Sequence, residues 1–212
     1  MSDEQNLSEE PEEAMDSEDS GLPSEEQLEL AERIIARLNP PHRGAISQMI
    51  HGKAKTVGGI FAAYAVFWWL TVLQYDDTQF TSIFFGPDFM TVTILAPALI
   101  FLGSLLSDFS REMGELLPGL FSGIMFVLAI LYSFEPVIMG FAGEIASTSD
   151  AVWKTSRLVI LCLTVFFAAK LLIDAWLLGW VKALMETYPD LDFSEPMHED
   201  MPSEAPSMET EA

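Results

Sequence analysis

The sequence predicts an all-α integral membrane protein, in which a short amphipathic helix precedes a bundle of four transmembrane helices and acidic, disordered tails flank both. Three observations predict this fold. Half of the 212 residues are hydrophobic, although the formal net charge is -22. The acidic and the hydrophobic residues are segregated along the chain. The hydrophobic ones form four long runs, and each run, coiled as a helix, is about as long as the hydrocarbon layer of a bilayer is thick.

The negative charge belongs mainly to the two ends of the chain. Residues 1–39 hold 13 Asp and Glu and residues 184–212 hold 9, so the ends carry 22 of the 32 acidic residues. Residues 1–23 and 184–212 have too few apolar groups to form a core, which predicts disordered tails. The acidic balance excludes a nucleic-acid-binding domain, which needs a basic face for phosphates. A single cysteine excludes an intrachain disulfide framework.

A short amphipathic helix is predicted from about residue 24 to residue 38. Ser24 and Gln27 have the spacing of a capping box, and the apolar residues that follow share one helix face. The sequence Asn-Pro-Pro ends the helix. Its polar face is rich in Glu, which disfavours binding to an anionic lipid surface. Three positions stay open: on the membrane, packed under the bundle, or bound to a partner.

Basic residues separate this helix from the first span. Arg43, Lys53 and Lys55 flank apolar residues and predict a juxtamembrane collar at the lipid interface, so residues 24–55 form one cytoplasmic region. Each base near an anionic leaflet contributes about 1 kcal/mol of binding free energy. The simpler interpretation is that these bases only set the membrane topology.

The transmembrane domain is predicted over residues 56–183. Its four spans are about 56–75, 89–107, 116–134 and 158–181. With the N-terminus inside, seven Lys and Arg lie on the cytoplasmic side, and only Lys154 and Arg157 lie outside. The positive-inside rule therefore predicts a multi-pass plasma membrane protein with both termini in the cytoplasm. The fourth helix is expected to begin with Asp150 as its N-cap, and to run on to about Tyr188.

Two charged residues inside the fourth span are the first candidate site. Lys170 falls near the middle of the span, and Asp174 lies one helical turn closer to the cytoplasm. Charges inside a membrane are costly and often functional, so Asp174 is a candidate ion or proton site with Lys170 as its counter-charge. Alternatively, the two residues neutralise each other along one helix face and have only a structural role.

Glu135 and two prolines mark other positions of interest. Glu135 ends the third span and can line an outer vestibule, although a Glu there more often lies at the water boundary. The helix after it either continues past Pro136 or gives way to a re-entrant segment. In the second span, Pro97 frees the carbonyl of Thr93, which a neighbouring helix is expected to satisfy.

Small residues predict close helix packing in two spans. The first span contains one set, and the third span contains a Gly-xxx-Gly pair. Such residues let helices approach closely, either within the chain or between copies of it. These helix-packing candidates are Gly58, Gly59, Ala62, Ala63, Gly119 and Gly123.

The sequence offers no recognisable catalytic, metal or cofactor site. All three histidines lie outside the spans, which excludes a histidine-lined site within the membrane. The chain has no zinc-protease motif, phosphate loop or nucleophile elbow. The excess of acid over base resembles that of proteins from salt-loving archaea, a likeness of composition in the exposed segments.

These observations favour a non-enzymatic membrane protein, an accessory subunit or scaffold that recruits partners through its cytoplasmic helix and acidic tails. The expected partners are the lipid bilayer and other proteins or further copies of the chain. The alternative is an ion- or proton-coupled transporter or channel subunit that uses Asp174, Lys170 and Glu135. The sequence indicates no small-molecule substrate.

Overall fold

The computed structural model describes residues 23–40, 43–75, 80–143, 145 and 147–189. Its five helices confirm the predicted all-α class, and four of them are long and apolar enough to cross a membrane. Most of the two predicted tails lies outside the described residues. The helices are α1 (Glu25–Leu38), α2 (Arg43–Trp68), α3 (Phe89–Met113), α4 (Leu116–Ala142) and α5 (Thr148–Thr187).

Helix α1 has the predicted ends. The Ser24 hydroxyl accepts a hydrogen bond from the Gln27 amide, and the Gln27 side chain accepts one from the Ser24 amide, both at 3.3 Å. This reciprocal capping satisfies donors that the first turn leaves free. Asn39 ends the helix in the left-handed conformation, with φ of 43°. On the exposed face, Arg33 and Glu29 form an ion pair at 2.8 Å.

Helix α2 extends the first span at its N-terminal end. It begins at Arg43, so the predicted collar is helical and continuous with the membrane segment. At the other end the chain continues as a wider π-helical turn, Trp69–Leu73. Such turns change the backbone hydrogen-bonding pattern and are frequent at functional sites. The sequence did not predict this one.

Two hydrogen bonds join helix α3 to α2 where a proline interrupts the backbone hydrogen bonds of α3. The Tyr64 hydroxyl of α2 donates to the carbonyl of Thr93 at 3.3 Å, and the Trp68 indole donates to the Thr93 hydroxyl at 2.9 Å. Because Pro97 cannot bond this carbonyl, the contact confirms the expectation that a neighbouring helix satisfies it.

Helix α4 forms an antiparallel pair with α3. The connection is very short, because Gly114 ends α3 in the left-handed region (φ 69°) and Glu115 already precedes α4. Helix α4 then passes through Pro136 and ends at Ala142, so the chain continues as helix and no re-entrant segment follows Glu135.

Helix α5 is the central and longest element, and it contacts the other four helices. Its 40 residues extend about 60 Å. The helix begins at Thr148 with Ser147 at the N-cap position, so the predicted N-cap Asp150 is wrong. Asp150 lies in the first turn instead and pairs with Lys154. Residues 184–187, assigned above to the C-terminal tail, are helical.

Buried hydrophobic residues form two clusters. The bundle core lies among α3, α4 and α5. The second cluster joins α1, the first turns of α2 and the last turns of α5, and these three segments are called the terminal module below. The bundle core contains Phe89, Val92, Ala96, Ile100, Ala129, Tyr132, Leu158 and Cys162, among others. The terminal module buries Ala31, Ile34, Ile46, Ile173, Leu177, Leu178, Val181, Leu184 and Met185.

Candidate functional site

Charged side chains gather at the two ends of the helical bundle. The terminal face is the end that carries α1 and the end of α5. The loop face is the opposite end, where η1, the π-helical turn Trp69–Leu73, leads towards the start of α3 and where α4 leads into α5. Both faces contain predicted site residues, but the two groups have different surroundings.

On the terminal face, Lys170 pairs with a residue of another helix. Its ammonium group lies 2.6 Å from the carboxylate of Asp108 near the end of α3. Arg111 also approaches this carboxylate, at 3.7 Å. The Asp108 side chain is only 6 % exposed, against 33 % for that of Lys170, so the acid is the buried member of the pair.

Asp174 binds bases from two further helices. Lys53 of α2 donates to its carboxylate at 2.8 Å, and Arg37 of α1 approaches it at 3.5 Å. The same Arg37 side chain pairs with Glu112 of α3 at 2.6 Å. Ion pairs at the terminal face therefore join α1, α2, α3 and α5.

These contacts differ from the mutual pair that the spacing of Lys170 and Asp174 allows. Each residue binds across to other helices, because α3 and α2 bring oppositely charged groups to α5 at this level. Asp108, which directly follows the predicted second span, was not among the candidates from sequence. The sequence did contain one indication of its role, because Asp108 lies at the end of a span, on the same side of the membrane as the predicted collar.

On the loop face, Glu135 is buried rather than placed at the water boundary. Its side chain accepts hydrogen bonds from the Ser82 hydroxyl at 2.6 Å and from the backbone amide of Ile83. The residue is 1 % exposed. One turn earlier, the Tyr132 hydroxyl donates to the carbonyl of Phe84 at 3.2 Å. Helix α4 thus holds the connection that precedes α3.

This connection folds into a tight turn. Thr81 and Asp88 pair in antiparallel fashion, and the Ser82 amide donates to the Pro87 carbonyl at 2.9 Å. Phe85 and Gly86 form the tip with φ of 64° and 71°. A positive φ is costly for Phe, and the bonds to Glu135 and Tyr132 offset this cost by fixing the residues that precede Phe85.

Arg157 is another buried charge of the loop face. It is 0 % exposed, and its guanidinium group donates to the carbonyl of Thr71 in the π-helical turn. The guanidinium carbon lies 4.7 Å from the ring centre of Phe89, 5.3 Å from that of Tyr75 and 5.6 Å from that of Trp153. The aromatic faces stabilise a cation that has left water.

The predicted helix-packing residues differ in how closely neighbouring helices approach them. A Cβ atom on Gly119 would lie 2.7 Å from the Ser110 hydroxyl, so this glycine permits close contact between α3 and α4. Among the described residues, nothing lies within 4 Å of the corresponding positions on Gly58, Gly59 and Gly123. Ala62 and Ala63 are exposed as well.

Two close contacts that the sequence did not indicate involve other glycines. A Cβ atom on Gly140 would lie 2.6 Å from that of Ala151, where α4 meets α5. A Cβ atom on Gly103 would lie 3.3 Å from that of Met125 and 3.4 Å from the ring of Phe126. Of the predicted collar, Lys53 binds Asp174 and Lys55 is exposed.

The charged groups of the two faces are separated by apolar packing. Glu135 contacts the connection at the loop face, whereas Lys170 contacts the opposite end of α3. Between these levels lie Ala96, Ile100, Ala129 and other buried apolar residues. A cleft of about 480 Å³ opens between α2 and α3 beside Pro97, and its lining in the described structure includes no charged residue.

Within the described part of the chain, no three His, Cys, Asp or Glu side chains are grouped so that they can hold a metal ion. The chain matches no protein-family model, and no curated protein and no solved structure is significantly similar to it.

Proposed function

We propose that this polytopic membrane protein is a non-enzymatic accessory subunit or scaffold, which recruits partners from the cytoplasmic side. The observation that supports it is the terminal module. Ala31 and Ile34 of α1 are 0 % exposed, and they share one hydrophobic cluster with the last turns of α5. Both acidic tails therefore begin at the ends of helices that pack together.

The packing of α1 refines which surface is offered to a partner. The apolar face of α1 is covered by α5 and α2, so partners contact its outer face and the tails. That outer face is acidic, with Glu25, Glu26, Glu29 and Glu32 exposed. Because the three segments pack together, the module holds the start of both tails at one end of the bundle.

Deletion of the tails alone tests this proposal. A chain that lacks residues 1–22 and 190–212 keeps α1, its cap and the whole terminal module. Affinity purification from native membranes should recover the partners with the full-length chain and lose them with the shortened one, while both insert equally. Recovery of every partner by the shortened chain would contradict the proposal.

A second deletion separates the tails from α1. Removing residues 1–39 also uncovers the apolar residues of α5, so non-specific binding is expected to rise. Comparing the two deletions distinguishes partners that bind the tails from those that bind the module. A partner retained by the first deletion and lost by the second binds α1.

The alternative function is a transporter or channel subunit that uses Asp174, Lys170 and Glu135. One observation favours it: Lys170 and Asp174 bind charged side chains of other helices rather than each other, and both remain partly exposed. It requires ion or proton flux in proteoliposomes that Asp174→Asn abolishes. An equal flux in the wild-type chain and in the Asp174→Asn variant would exclude it.

A further inference from the structure

Polar contacts at two levels of the bundle indicate how deeply the helices sit in the bilayer. At the loop face, Arg157 of α5 binds the carbonyl of Thr71. At the terminal face, Asp174 of α5 binds Lys53 of α2. Helices α2 and α5 therefore run antiparallel, and the same pair of helices carries a charged contact at each end.

The separation of the two levels matches the thickness of a membrane. Residue 53 of α2 and residue 71 of η1, which continues α2, are 18 positions apart, and residues 157 and 174 of α5 are 17 positions apart. At 1.5 Å per residue these distances are about 27 Å and about 26 Å. The hydrocarbon layer of a typical bilayer is about 30 Å thick.

Helices α3 and α4 have the same spacing. Phe89, which contacts Arg157, and Asp108, which binds Lys170, are 19 positions apart, or about 28 Å. Helix α4 begins at Leu116, and Glu135 follows 19 positions later. All four helices thus have their polar contacts or their ends at two levels that are about one hydrocarbon layer apart.

Helix α1 gives an independent reason to place the edge of the hydrocarbon layer at the level of the terminal-face contacts. It has four exposed glutamates and cannot enter hydrocarbon. Nevertheless its cluster includes α5 residues from Ile173 to Met185, which span about 18 Å of the helix axis. A single helix lying flat on the membrane is about 10–12 Å wide, so this stretch of α5 must extend out beside it.

We infer that the bilayer boundary crosses α5 at Lys170–Asp174, and that the last 13 residues of α5, 175–187, form with α1 and the first turns of α2 a three-helix module outside the hydrocarbon layer. The midpoint of the α5 span is then near residue 165. Lys170 and Asp174 lie at the boundary, where their ion pairs join α5 to α1, α2 and α3. This placement does not depend on the proposed partner role.

The resulting membrane register differs from the one that hydropathy alone predicts. The predicted fourth span, 158–181, places residue 176 five positions inside the hydrocarbon layer and residue 160 only two positions inside. The two levels of polar contacts, at residues 157 and 174 of α5, place residue 176 two positions outside the hydrocarbon layer and residue 160 three positions inside it. The relative depth of these two residues therefore reverses between the two registers.

Spin labels at Ile160 and Trp176 test the register in the full-length chain. These side chains are 43 % and 66 % exposed, so labels are tolerated on the outer surface of α5. Each is replaced by Cys in a Cys162→Ala background and labelled with a nitroxide in phosphatidylcholine–phosphatidylglycerol vesicles. Relaxation by a water-soluble nickel chelate is compared with relaxation by oxygen, which concentrates in hydrocarbon.

We expect the nickel-to-oxygen accessibility ratio to be several-fold higher at residue 176 than at residue 160. A higher ratio at residue 160, or equal ratios, would overturn the inference.

Two further positions replace any variant that fails to fold. Gly179→Cys replaces the label at residue 176, and Leu163→Cys replaces the one at residue 160. Leu163 is 51 % exposed, and a Cβ atom on Gly179 meets nothing within 4 Å among the described residues. In the pairs 160 with 179 and 163 with 176, hydropathy alone predicts equal depths and equal ratios. The two levels of polar contacts require a several-fold higher nickel-to-oxygen ratio at residue 179 than at residue 160, and at residue 176 than at residue 163. Equal ratios would overturn the inference.

Discussion

The bundle core and the terminal module share helix α5, but they hold their charged groups in different places. In the bundle, Arg157 and Glu135 are 0 % and 1 % exposed, and they bind backbone groups of a π-helical turn and a connection. In the terminal module, the charges form a rim around apolar contacts, and Arg37 and Lys53 keep 31 % and 21 % of their side-chain surface exposed.

This difference has an energetic consequence. A buried charge that loses its partner, or a buried carbonyl that loses its donor, cannot be satisfied by water, so such contacts are costly to break. A partly exposed ion pair exchanges its partner for water at little cost. The bundle should therefore depend on its polar contacts, and the module on its apolar ones.

The largest effect is expected at Arg157. Arg157→Ala leaves the Thr71 carbonyl and three aromatic faces without their cation, and we expect a loss of about 3 kcal/mol in the free energy of unfolding. Arg157→Lys should recover only part of it, because an ammonium group lacks the planar fork. Denaturation in mixed micelles measures both. Arg33→Ala, on the exposed face of α1, is the control, and an equal loss there would contradict the comparison.

The next effect is expected at Glu135. Glu135→Ala removes the acceptor of the Ser82 hydroxyl and the Ile83 amide, at a cost of about 2 kcal/mol. Amide hydrogen exchange should rise at Ile83 and Phe84 while the middle of α3 stays protected. Glu115→Ala, an exposed residue between α3 and α4, is the matched control. Unchanged exchange at Ile83 in the Glu135 variant would show that the bond does not hold this turn.

A smaller effect is expected from the rim of the terminal module. Arg37→Ala should weaken the packing of α1 by about 1 kcal/mol or less, because its ion pairs are partly solvated. The loss should shrink further as salt is raised from about 0.01 M to about 1 M, since the screening length falls from about 30 Å to about 3 Å. Hydrogen exchange of α1 at both salt concentrations measures this. A loss that does not change with salt would contradict the expected screening.

The smallest effect concerns the exposed cap of α3. Hydrogen bonds from Thr91, first from its side chain and then from its backbone amide, lower the pKa of Asp88 below its ordinary value. A lowered pKa stabilises the folded chain above the unfolded-state pKa, and this stabilisation is lost as pH falls through the folded-state pKa. Asp88→Asn keeps a capping side chain but cannot titrate. Its melting temperature should therefore fall less than that of the wild type in acid, and identical acid profiles would contradict the assignment.

Much of the fold could be predicted because local rules determine it. The capping box of Ser24 and Gln27, the Asn-Pro-Pro stop and the four apolar runs all correspond to helices. Helix α1 has nearly the predicted ends, whereas the membrane helices run beyond the predicted spans at one end or both. Because Pro97 frees the Thr93 carbonyl, the sequence predicts that a group on a neighbouring helix donates to it. The residue that satisfies it, Tyr64, depends on how α2 and α3 cross, which spacing along the chain does not define.

The charged contacts could be predicted only in part for the same reason. Lys170 and Asp174 are neighbours on one helix, and a single-helix argument pairs them. The structure instead pairs them with Asp108 and Lys53, which lie 62 and 121 positions away in sequence. Hydropathy also treats the apolar residues after Asp174 as membrane-embedded, although α1 and α2 bury them in the terminal module.

We expect the terminal module to behave as a separate packed unit on the membrane bundle. Amide hydrogen exchange of the full-length Ile34→Asp variant in phospholipid nanodiscs tests it most directly, with Ala36→Asp on the exposed side of the same helix as the control. We expect exchange in the Ile34 variant to rise over residues 25–38 and 177–187 and to stay unchanged over residues 92–103. Faster exchange over all these segments, or no change in any, would show that the terminal module is not a separate unit.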